Sequence, residues 1–83
     1  MDLNVIDFLN KVRESKKTFK YTSGERDYET IKYENSVDGK TYYVFSQFEE
    51  NRKEPYYTDI IPDYEMLQIL SSDFRDYENA EEL

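Results

Sequence analysis

With 83 residues the chain has room for one hydrophobic core, because two would each be too small to offset the entropy of ordering them. It holds no cysteine and no histidine, which removes disulfides, the commonest zinc ligands and the commonest general base at neutral pH. Nineteen acids against eleven bases give a net charge of −8, which opposes direct binding to DNA or RNA.

Hydrophobic residues at 37% and charged ones at 36% approach the composition of a disordered chain, but nine Tyr and five Phe argue for folding. A single domain over residues 1–83 is expected. No apolar run nears the ~20 residues of a membrane span, and Met-Asp-Leu-Asn-Val has no basic n-region or apolar h-region. The expected location is the cytoplasm, where a cysteine-free chain is at no disadvantage.

Residues 3 to 16 read as a first helix: Val5, Leu9 and Val12, with Ile6 and Phe8, form one apolar stripe, and Asp2 or Asn4 can cap it. Lys11, Arg13, Lys16 and Lys17 gather toward its C-terminus, where the helix dipole favours cations. The period then switches to two, with Phe19 and Tyr21 facing one way and Lys20 and Thr22 the other, in a strand that closes at Ser23-Gly24. Residues 28 to 37 and 40 to 48 form a hairpin about Asp38-Gly39, a pair suited to a turn that needs positive φ at both positions.

Counting outward from a two-residue loop pairs Val37 with Lys40, Asn35 with Tyr42 and Tyr33 with Val44. Ile31 and Phe48 join that face, which is expected to bury the first helix. Lys32 with Phe45, and Glu34 with Tyr43, are expected on the opposite, more polar face. Glu49 to Glu54 reads as a loop or a short helical turn, and residues 56 to 61 as either a short strand or an extended link that inserts Ile60 and Ile61 into the core. Pro62-Asp63 opens a second helix with the stripe Met66, Leu67, Leu70, Phe74 and Tyr77, ending between Tyr77 and Ala80. The order αβββα predicts an α+β domain, a three-stranded antiparallel sheet flanked by an N-terminal and a C-terminal helix.

Residues 1 to 48 hold eight acids and eight bases, so all the imbalance lies downstream. From Glu49 to Leu83 eleven acids face only Arg52, Lys53 and Arg75, and they are interleaved with Tyr56, Tyr57, Tyr64 and Tyr77. One reading is a solvated charged face with an acidic tail, Glu78 to Leu83. The other is a surface that imitates nucleic acid, since carboxylates three or four residues apart on a helix lie about 5–6 Å from one another, near the phosphate spacing of a strand.

Two glycines cannot make a phosphate-binding loop, and no HExxH or EF-hand spacing occurs. What remains is carboxylate chemistry, for example a metal site from Asp59, Asp63 and Glu65, but with so many acids any such group can be nominated. No enzyme activity, cofactor or metal is expected. Tyr21, Tyr33 and Tyr42 read as packing residues; Tyr43, Tyr56, Tyr57 and Tyr64 fall on the polar face or in the acidic half, where tyrosine suits a protein interface.

In its helix starting near Asn4, its strand closing on Ser23-Gly24, its hairpin at Asp38-Gly39 and the run Tyr43-Val44-Phe45-Ser46 into Glu49-Glu50, the chain resembles the small acidic anti-CRISPR proteins that bacteriophages use against type II-A Cas9. The resemblance covers residues 1 to 50. It implies an inhibitor in the bacterial host cytoplasm that occupies the basic pocket of a Cas9 guide complex and blocks DNA recognition. Asp38 and Gly39 would enter that partner, and acids of the later half would face its arginines.

The candidate partner-binding residues are therefore Asp38, Gly39, Glu49, Glu50, Tyr56, Tyr57, Asp59, Asp63, Tyr64, Glu65, Asp73 and Asp76, on a chain expected to be monomeric. An immunity protein or antitoxin that neutralises a basic toxin or nuclease is the alternative, because such proteins share the size and charge. A structural adaptor subunit is a third.

Overall fold

A computed structural model of the chain describes residues 3–83. The elements are α1 (Leu3–Ser15), β1 (Phe19–Ser23), β2 (Asp27–Val37), β3 (Lys40–Phe48), β4 (Tyr57–Pro62), α2 (Asp63–Leu70), a 3₁₀ turn (Tyr77–Asn79) and β5 (Glu81–Glu82). The fold is α+β, but its antiparallel sheet has five strands rather than three, in the order β4-β3-β2-β1-β5. The ambiguous stretch is β4, whose β-branched Thr58, Ile60 and Ile61 suit an extended backbone; of the two isoleucines only Ile61 enters the core, because alternation along the strand turns Ile60 outward. The two-residue β5 has no strand signal of its own and is held by pairing with Phe19 and Lys20.

Both helices cover one face of the sheet. Val5, Phe8, Leu9 and Val12 of α1 and Met66 and Leu70 of α2 pack with Phe19, Tyr21, Ile31, Tyr43, Phe45 and Ile61 of the strands. Val5, Phe8, Leu9 and Val12 of the α1 stripe thus fall where their spacing places them, with Phe8 edge-on to Phe19 at 5.8 Å and to Tyr21 at 6.1 Å, while Ile6 is half-buried outside the core cluster. The capping expectation for Asp2 lies outside the described residues, and Asn4 sits within α1 rather than capping it.

The hairpin turns where expected, with Asp38 (φ 52) and Gly39 (φ 77) both left-handed and Val37 opposite Lys40. The expected register holds only to Asn35 and Tyr42. A bulge at Glu34 then shifts it by one, pairing Tyr33 with Tyr43, Ile31 with Phe45 and Lys32 with Val44. Since side chains alternate across a sheet, that single residue exchanges the faces of β3. Tyr43 and Phe45, expected outside, are buried in the core, while Val44 and Phe48, expected inside, stand on the uncovered face. Tyr42 stands on that uncovered face too, half-buried, rather than under α1.

The second helix stops at Leu70, short of the expected Tyr77 to Ala80. Ser71 and Ser72 turn their hydroxyls back onto the carbonyls of Leu67 (2.6 Å) and Ile69 (3.1 Å), the local competition by which serine ends helices. Residues 71–83 leave the helix axis and run along β1, where Gly24 N–H donates to Phe74 O at 2.7 Å and Asp76 N–H to Thr22 O at 3.0 Å. Tyr77 is buried against Phe8, at 5.6 Å between ring centroids, while Phe74 is exposed instead of joining a helical stripe. Among the described residues no helix is long and apolar enough to cross a membrane.

Candidate functional site

The expected partner-binding residues fall into four separate places. Asp38 and Gly39 form the exposed tip of the β2–β3 hairpin. Glu49 and Glu50 lie at the other end of the sheet, where Glu50 approaches Arg26 at 3.9 Å and its amide donates to Asp27 Oδ1 at 3.3 Å. The eleven residues of β2 separate these two ends by roughly 35 Å. Asp73 and Asp76 lie beside β1; the Asp76 carboxylate accepts both bonds of the Asn79 side-chain amide, at 3.0 and 3.1 Å.

The fourth place gathers most of the set. β4 is the long free edge of the sheet and runs straight into α2, so Tyr56, Tyr57, Asp59, Asp63, Tyr64 and Glu65 share one rim of the molecule. Tyr57 O–H donates to Asp59 Oδ2 at 3.1 Å, and the other Asp59 oxygen accepts the Ile60 amide at 2.8 Å. The Tyr57 hydroxyl is held above its ordinary range first by that hydrogen bond to Asp59, then by desolvation and the charges of Asp59 and Glu65. The Glu65 carboxylate therefore lies in the same field. Among the described residues, no lysine or arginine forms an ion pair with Asp59, Asp63 or Glu65.

Asp63 has a second task. It accepts a hydrogen bond from the buried Tyr43 hydroxyl at 2.7 Å, which ties the first turn of α2 to the centre of β3. Burial and then this bond push the Tyr43 hydroxyl well above its usual range. Tyr43 is thus a structural post under the rim rather than an interface anchor. Tyr56, Tyr57 and Tyr64 are exposed, as an interface role requires. No metal-binding group of carboxylates forms among the described residues, so Asp59, Asp63 and Glu65 do not converge on an ion.

Two features were not legible in composition. The first is Glu29, buried on the core face with its carboxylate held by Arg75, Tyr21, Gln47 and Ser23. The second is a segregation of charge within the neutral half. The register puts Lys20, Lys32 and Lys40 on the uncovered sheet face, and strands β1 to β4 present no carboxylate there outside the Glu34 bulge. On that face Tyr28 stacks on Phe48 at 4.5 Å, with the Lys20 ammonium 4.4 Å from its ring centroid and its hydroxyl bonded to the Arg52 carbonyl. Lys20 between Phe19 and Tyr21 and Lys32 between Ile31 and Tyr33 carry this signal in the sequence, and Lys40 joins them only once the bulge is known. The chain matches no known protein family model, no curated protein and no solved structure.

Proposed function

We propose that this chain is a binding protein that offers its acidic, tyrosine-bearing rim to the arginine-rich DNA-binding site of a host defence nuclease, with a Cas9 guide complex as the partner. The observation that carries this reading is the gathering of Tyr57, Asp59, Tyr64 and Glu65 on the free edge strand and the helix that follows it, with no lysine or arginine among the described residues in an ion pair with these carboxylates. Carboxylates of this kind take arginine in charge-assisted, bidentate hydrogen bonds, and exposed tyrosine rings take the guanidinium face. Opposite fields also accelerate the encounter.

Occupation of such a site by this rim excludes the phosphates that normally fill it. A purified Cas9 guide complex captured on the immobilised chain is the test. The reading requires that the captured complex no longer retain its target DNA; a captured complex that binds DNA as before contradicts it.

A further inference from the structure

The sheet has two edges, and they are built differently. β5 is only two residues long, a short edge of the sort that discourages pairing. β4 has six residues, with no lysine, no bulge and a proline only at its last position. Within it Tyr57 is 41% exposed and Ile60 56%, and exposed tyrosines flank it on both sides, Tyr56 before the strand and Tyr64 in the first turn of α2. Apart from Asp59, whose carboxylate takes the Ile60 amide, the outer edge of this six-residue strand is open, and an open edge strand is a template for another strand.

From this we infer that the partner docks by strand addition, laying an extended segment bearing arginine or lysine along the outer edge of β4. The occupant follows from charge. A second copy paired through its own β4 would bring Asp59, Asp63 and Glu65 against their duplicates on two chains of net charge −8, and like charges facing each other across strands destabilise the pair. A basic segment reverses that sign. It places a guanidinium against Asp59, whose bonds to Tyr57 O–H and Ile60 N–H it can exchange for its own, and an apolar side chain against Ile60. The inference rests on the proposed function for the nature of the partner, and adds the geometry by which it binds.

A short synthetic peptide in which arginine and valine alternate is the probe, compared with the same peptide N-methylated at every second amide. N-methylation keeps charge and side chains but removes the amides that would enter the ladder. Strand addition predicts that N-methylation weakens binding about tenfold or more, and that the unmodified peptide slows hydrogen exchange at residues 57–61. Equal binding by both peptides, or slowed exchange elsewhere only, overturns the strand geometry while leaving an electrostatic rim intact. Exchange in β4 already slow without peptide, together with a concentration-dependent dimer in sedimentation, overturns it in favour of a second copy. Undiminished DNA binding by the captured nuclease would instead contradict the proposed function and leave the peptide result standing.

Discussion

Arg75 grips Glu29 through two parallel hydrogen bonds, Nε to Oε1 at 2.9 Å and Nη2 to Oε2 at 3.0 Å, across 46 residues of sequence. Glu29 is 1% exposed, and Tyr21 O–H (2.8 Å), Gln47 Nε2 (3.0 Å) and Ser23 Oγ (3.3 Å) complete its coordination. The same guanidinium reaches Ile69 O and Ser72 Oγ, so this pair fastens the segment after α2 to the sheet.

Removing one partner of a buried pair leaves the other charge uncompensated, which costs more than the pair contributes. Arg75→Met should destabilise the domain by about 3–5 kcal/mol in urea unfolding, and Glu29→Gln in the same chain should recover part of that loss. No recovery in the double variant would mean that Arg75 acts through packing rather than charge.

Alkaline pH should unfold the domain. Burial first, then the Glu29 charge, holds the Tyr21 hydroxyl far above its usual pKa of about 10, and burial with the Asp63 bond does the same for Tyr43. A folded pKa above the unfolded one means that the native state keeps protons the unfolded chain releases. Stability is therefore fully present below pH 10 and falls as pH rises beyond it. Tyrosinate absorbance near 295 nm should show two tyrosines that ionise only together with loss of the near-ultraviolet circular dichroism.

At the hairpin tip, Gly39 has φ 77 and open space where a Cβ would stand, so an added methyl meets backbone strain rather than a clash. Gly39→Ala should cost about 1 kcal/mol in urea unfolding without changing the core. Deleting Glu34 removes the bulge and leaves Tyr33 opposite Tyr43 and Asn35 opposite Tyr42 in a regular ladder. That deletion should preserve the fold, with Ile31 and Phe45 still paired by cross-strand nuclear Overhauser effects.

The parts of the fold written in local pattern were legible: the α1 stripe, the alternation of β1, and a turn that Asp38-Gly39 dictates through positive φ. Glu34 carries no such mark, because Tyr33-Glu34-Asn35 contains no glycine, and its bulge accompanies the burial of Tyr43 and Phe45, which lie far from it in local pattern. β4 was ambiguous because its edge position leaves four of six residues exposed and blurs the alternation. The acidity of the last 35 residues was legible as composition. Its division between two edges of the sheet was not, since β5 and the Glu29–Arg75 pair fold the end of the chain back to β1.

That division makes the candidate acids separable. Asp59 and Glu65 lie on the β4 rim, and Asp73 and Asp76 lie across the sheet beside β1. All four are exposed, so Asp59→Lys with Glu65→Lys, or Asp73→Lys with Asp76→Lys, should each leave unfolding within about 0.5 kcal/mol per site of the native chain. Asp63 is excluded from the comparison because it supports Tyr43.

Titration of the native chain and these two double variants into a Cas9 guide complex bound to fluorescent target DNA, read by anisotropy, tests the rim most directly. The native chain and the Asp73→Lys/Asp76→Lys variant should displace the DNA, while the Asp59→Lys/Glu65→Lys variant should fail to do so. DNA that stays bound at saturating native chain, or equal displacement by both variants, would contradict the proposed role of the rim.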